Sequence, residues 1–144
     1  LRKDVFKEMV NLKHLDLSYN RINNLNDEEF SSLMLLTTLE IQGNKLVTIN
    51  KEMFIGLQNL KSLNLQSNIL SMIHSSTFTI FENLQSIDIR LNNIQCDYYH
   101  YKLLDTLPSA EFVKADCISD DIRMNTTIWA IMIFLDTQSA IMVN

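Results

Sequence analysis

Apolar residues recur along the first two thirds of the chain with a period of 24. Phe stands at 6, 30, 54 and 78, and Asn at 20, 44, 68 and 92. Four blocks align without insertion: LKHLDLSYNRI (12–22), LTTLEIQGNKL (36–46), LKSLNLQSNIL (60–70) and LQSIDIRLNNI (84–94). Each reads L-x-x-L-x-L-x-x-N-x-L, with Ile allowed for Leu. Leu25, Ile49 and Ile73 follow the first three blocks. Next comes a Phe with an apolar residue three positions on: Phe30 with Leu33, Phe54 with Leu57, Phe78 with Phe81. Phe6 with Met9 fits the same rule one repeat earlier. Residues 14–18, 38–42, 62–66 and 86–90 alternate polar and apolar, which predicts short strands. Leu15, Leu17, Leu39, Ile41, Leu63, Leu65, Ile87 and Ile89 face inward. One such turn cannot bury its own apolar side, so the repeats must stack. The Asn column is expected to be buried, its amides satisfying backbone groups from repeat to repeat.

These blocks resemble the leucine-rich repeat family, in its 24-residue extracellular type with a buried Phe, over residues 1 to about 95. The resemblance implies an α/β solenoid. Its expected form is a horseshoe with a parallel concave β-sheet, an irregular or short-helical convex side and a C-terminal helical cap. Asn26, Asn50 and His74 stand where many members of the type carry Pro, a departure expected to loosen the convex turn. Leu1 falls 24 residues before Leu25, in the same column. No signal peptide or N-terminal cap precedes the pattern, so the chain reads as the C-terminal piece of a longer array, a partial repeat plus four.

The period changes after Ile94. In residues 97–107, Tyr98, Tyr101, Leu103, Leu104 and Leu107 form an apolar stripe at helical spacing, with Asp97 as N-cap and Pro108 as stop. Residues 110–117 read as a short extended segment. This region, taken as 96–127, resembles the cysteine-flanked cap of extracellular leucine-rich repeat proteins. That cap carries four cysteines bridged first to third and second to fourth. Cys96 matches the first and Cys117 the third, Tyr98 replaces the second, and no fourth follows. The resemblance implies a Cys96–Cys117 disulfide, worth about 3 kcal/mol if unstrained, and an oxidising compartment. Two other readings stay open: free buried cysteines in a cytosolic protein, and a catalytic Cys paired with His100, for which no orienting third group is apparent.

Residues 125–127, Asn-Thr-Thr, form an N-glycosylation sequon at Asn125. Beyond it, 128–144 begins with the apolar run IWAIMIFL and is interrupted by Asp136. The run is too short to span a bilayer, which takes about 20 residues. It reads as a packed last segment, a remnant of a membrane anchor, or a C-terminus foreign to the domain. If exposed, it is prone to aggregate.

Composition narrows the function. The 144 residues are 47% hydrophobic and 20% charged, enough apolar material for one folded domain. The 2 Gly and 1 Pro exclude collagen and Gly-rich phosphate loops. A net charge of −5 argues against nucleic acid or an anionic membrane as partner through overall charge. His14, His74 and His100 lack metal-ligand spacing, and no nucleophile, metalloprotease or dinucleotide motif is present. The run Asp27-Glu28-Glu29 reads as the polar start of a convex segment. The expectation is therefore a non-enzyme with no cofactor and no metal.

The resemblance implies protein recognition on the concave sheet, as in receptors of the Toll-like and relaxin types, adhesion proteins and secreted immune proteins. The outward positions make three candidate rows: His14, Thr38, Ser62 and Ser86; Asp16, Glu40, Asn64 and Asp88; Ser18, Gln42, Gln66 and Arg90. With strands about 4.8 Å apart, the middle row carries three carboxylates within about 15 Å. Such a row suits a protein ligand with a basic patch. A plain solvated face is the alternative. Tyr19 is the nearest aromatic to these rows. The expected location is extracellular, with membrane association only through an anchored parent. The competing reading is an intracellular scaffold with free thiols.

Overall fold

The computed structural model describes residues 4–74, 76–95, 112–119 and 122–127. Each repeat contributes one three-residue strand: β1 (His14–Asp16), β2 (Thr38–Glu40), β4 (Ser62–Asn64) and β6 (Ser86–Asp88). They pair in parallel, each 24 residues from the next, so that Leu15, Leu39, Leu63 and Ile87 stand in one row. The sheet continues into β7 (Phe112–Ser119), parallel to β6, and ends on β8 (Ile122–Thr127), antiparallel to β7. Of the extended segment expected at 110–117, residues 112–117 lie in β7, which runs on to Ser119. On the other side of the solenoid, β3 (Thr48–Ile49) and β5 (Met72–Ile73) form a second small parallel sheet. A 3-10 turn, Lys51–Phe54, makes the convex side of that repeat. The architecture is the expected solenoid with a parallel concave sheet. The helix expected at 97–107, Cys96, Tyr98, His100 and the apolar tail lie outside the described residues.

The strands are shorter than the expected five residues, and two local causes end them. The side-chain oxygens of Asp16, Asn64 and Asp88 accept the backbone N–H two residues on, at 2.8–3.1 Å. Such turns compete with a regular ladder. Then Tyr19, Gly43, Ser67 and Leu91 all adopt positive φ, 54° to 67°. The inter-repeat hydrogen bonds nevertheless continue past the strand ends, from Tyr19 N to Gln42 O, Gly43 N to Gln66 O and Ser67 N to Arg90 O.

The Asn column works as expected. Asn44, Asn68 and Asn92 are buried. Each Oδ1 accepts from the repeat before, from Ile22 N, Leu46 N and Leu70 N at 3.0–3.1 Å. Each Nδ2 donates to two strand-end carbonyls, one in its own repeat and one in the preceding repeat: for Asn68, Leu65 O and Ile41 O. Asn20 differs: it is exposed and bonds within its own repeat.

The core is a stack of Leu and Ile from the strands against Phe from the convex turns. Phe30, Phe54, Phe78 and Phe81 are fully buried, and ring pairs Phe6–Phe30 and Phe54–Phe81 sit 5.7 and 5.3 Å apart. Met9 departs from its column: it is 44% exposed, whereas Leu33, Leu57 and Phe81 are buried. It belongs to the first described turn, against which nothing stacks among the described residues. Leu15 and Leu17 are only partly buried for the same reason.

The convex turns are not left loose by the missing Pro residues. Asn50 Oδ1 accepts from Met53 N at 3.0 Å, Asn26 donates through both its backbone N and Nδ2 to Glu29 Oε2, and His74 Nδ1 sits 2.8 Å from Ser76 Oγ. Side-chain caps do here what a fixed φ does elsewhere. Gly56, at φ 98°, is required: a Cβ there would meet Phe30 O at 2.5 Å.

Candidate functional site

The concave face is built by register. His14, Thr38, Ser62 and Ser86 are direct neighbours, as are Asp16, Glu40, Asn64 and Asp88. The third row, Ser18, Gln42, Gln66 and Arg90, follows just past the strands. All twelve residues are exposed or half-buried, while the residues between them are core or pack against it.

The middle row is less uniformly acidic than its sequence. Asp88 is tied to Arg90 by two hydrogen bonds, Nε to Oδ1 at 3.0 Å and Nη2 to Oδ2 at 2.7 Å. That ion pair largely cancels its charge. Asp16 and Glu40, at the other end of the sheet, have no ion-pair partner among the described residues. The carboxyl of Asp16 titrates below the ordinary range, because the Ser18 hydroxyl and then the Ser18 backbone N–H favour the ionised form; nearby His14 adds to this. Glu40 makes no turn of the kind Asp16, Asn64 and Asp88 make, its side chain being one methylene longer.

Two features of the face were not apparent from the sequence. β7 extends the sheet, with Phe112 in register with Ser86 and Lys114 with Asp88. No repeat consensus runs through the cap to reveal that register. Tyr19, 79% exposed, lays its ring against Gly43: a Cβ on Gly43 would lie 2.5 Å from Tyr19 Cδ1. The signal was present, a Gly 24 residues after a Tyr, but only the fold makes them touch.

Of the other sequence candidates, Cys117 lies on β7 opposite Met124, and Asn125 lies on β8 opposite Asp116. On the convex side a hollow of about 460 Å³ is lined by Asp4, Lys7, Ser31, Ser32 and the run Asn26–Glu29. No group of His, Cys, Asp and Glu suited to a metal ion occurs among the described residues, and no helix there is long and apolar enough to cross a membrane.

Solved structures with this architecture bind ligands. The chain is similar to Toll-like receptor 13 in its complex with a single-stranded RNA, at 27% identity and TM-score 0.70, over 82% of this chain and 17% of that one. It is similar to chains of the Toll–Spatzle complex of Drosophila. One, from the glycosylated form, is 34% identical with TM-score 0.64, over 66% of this chain and 13% of that one. Another is 26% identical with TM-score 0.66, over 79% of this chain and 17% of that one. The chain thus spans less than a fifth of the length of these proteins. No curated protein matches it. The profile of the family described as "Leucine rich repeat" matches residues 1–46 and 35–94, well over half of the 144. The chain belongs to the leucine-rich repeat family.

Proposed function

We propose that this chain is the C-terminal recognition segment of an extracellular or luminal leucine-rich repeat protein, a receptor ectodomain or secreted protein, and that it binds a protein ligand through its concave sheet without catalysis. The observation that carries this reading is the registered polar surface: three rows of mainly hydroxyl, carboxylate and amide side chains over a buried apolar core. The similar structures provide precedents for both a protein and an RNA ligand. The carboxylates of Asp16 and Glu40, which have no ion-pair partner among the described residues, disfavour a polyanion and favour a basic protein surface. In this reading residues 1–95 are repeats, 96–127 the cap and 128–144 an apolar tail, with a Cys96–Cys117 disulfide and a glycan on Asn125.

Two measurements test it. Photo-crosslinkers at Thr38 and Ser62 are expected to capture the ligand, and crosslinkers at Ser71 and Thr79, off the concave rows, are not. Captured RNA, or capture only by the second pair, overturns the reading. On protein from a secretory host, alkylation followed by intact mass is expected to find no free thiol and a glycan. Two alkylated thiols on folded protein favour the intracellular scaffold.

A further inference from the structure

The two ends of the concave face differ in what they leave unsatisfied. At β6 the carboxylate is consumed: Asp88 holds Arg90. At β1 and β2, Asp16 and Glu40 are register neighbours on parallel strands, without an ion-pair partner among the described residues. Parallel neighbours lie about 4.8 Å apart, a spacing one guanidinium can bridge. Two residues beyond Glu40, the Oε1 of Gln42 is shut off from solvent with no hydrogen-bond donor among the described residues. Three residues beyond Asp16 stands Tyr19, the most exposed large hydrophobic residue among the described residues.

Tyr19 is exposed but not free. Its backbone sits at φ 54°, fixed by the Tyr19 N to Gln42 O bond at 2.8 Å, and its ring occupies the space that Gly43 leaves by lacking a side chain. Positive φ is shared by the whole column, so the turn explains the backbone and not the tyrosine. A bulky residue is disfavoured there, and Gly would serve the turn at lower cost. A pre-positioned aromatic ring on a wet surface loses little entropy on contact, which is the property of an interface anchor.

We propose that Tyr19, Asp16 and Glu40 form a receptor for an arginine side chain of a protein partner, with the guanidinium stacked on the Tyr19 ring and its N–H groups directed to the carboxylates. Arginine fits better than lysine because a planar fork can both stack and hydrogen-bond in two directions. This rests on the concave-face reading and narrows it to the β1–β2 end.

The test titrates the 144-residue chain with an octa-arginine peptide, and in parallel with octa-lysine and octa-glutamate, following backbone amide shifts by NMR. Octa-arginine is expected to shift Tyr19, Gly43 and Glu40, to bind more tightly than octa-lysine, and octa-glutamate not to bind. Tyr19→Ala, and separately the pair Asp16→Asn with Glu40→Gln, are expected to weaken binding by about three- to tenfold. Tyr19→Phe keeps it, and Asp27→Asn, which removes one charge on the convex side, leaves it unchanged. Native-like spectra of each variant establish that it is folded. Binding on the concave face that ignores Tyr19, Asp16 and Glu40 overturns this inference and leaves the concave-face reading standing. Shifts confined to Asp27–Glu29 mean charge attraction alone and overturn the inference, as does no binding.

Discussion

Single residues in this chain carry local duties that their column membership hides. Asp16 belongs to a row of outward carboxylates, yet its first task is to hold the backbone N–H of Ser18 at 2.8 Å and so turn the chain out of β1. This bond and the one from the Ser18 hydroxyl are stronger to the ionised carboxylate, which is why its titration is lowered. A carboxyl with a depressed folded-state pKa contributes stability above its unfolded pKa and loses it as pH falls through the folded value. The expected outcome is that carboxyl NMR places the Asp16 midpoint below the ordinary aspartate value. The Ser18 amide is expected to shift with the same midpoint. Substituting Ser18→Ala should bring the midpoint back toward the ordinary value. A normal midpoint in the parent chain removes the argument. Glu40 makes no such turn, and its carboxylate has no ion-pair partner among the described residues.

At the scale of elements, side-chain amides link each turn to the next. Besides the buried Asn44–Asn68–Asn92 series, a second series runs along the turns that lead into the strands. Asn59 Nδ2 donates to Met34 O and Asn83 Nδ2 to Gln58 O, both at 2.9 Å and both 25 residues back. One repeat earlier the same position is Leu35, 46% exposed, and its counterpart carbonyl belongs to Val10, 51% exposed. Met34 is 62% exposed alongside. Leu35→Asn is expected to complete the series by donating to Val10 O and to raise stability by about 0.5–1 kcal/mol. A urea denaturation midpoint checks this. A lower midpoint would mean that Leu35 makes packing contacts worth more than a hydrogen bond.

At the scale of the whole molecule, the fold is close to one-dimensional. Each repeat touches only its neighbours, so a local loss spreads along the stack and fades. Phe54 is fully buried with its ring 5.3 Å from Phe81, whereas Phe6 lies in the first described turn. Phe54→Ala is expected to cost about 3–5 kcal/mol, a large share of the 5–15 kcal/mol typical of a domain. Phe6→Ala is expected to cost less, because among the described residues its turn is packed on one side only, against Phe30. Denaturant unfolding gives the two costs. Hydrogen exchange should show the Phe54→Ala loosening centred on β2, β4 and β6. Equal costs and uniform loosening would mean a single cooperative core instead.

The period of 24 determined the repeat register, the inward Leu and Ile rows, the buried Asn and Phe columns and the outward positions. All of these follow from alternation and from stacking equivalent residues. What the sequence could not decide depends on contacts between residues far apart in the chain or on the turn at a strand's end. The Asp88–Arg90 pair neutralises one end of a row that reads as three carboxylates and an amide. Side-chain caps at Asn26, Asn50 and His74 replace the absent prolines. The β7–β8 hairpin joins the sheet in a register no repeat announces, and Tyr19 meets Gly43 only when one repeat is laid on the next. A repeating pattern encodes what is the same in every turn. The differences between turns, where recognition resides, are settled by which unlike side chains the stacking brings together.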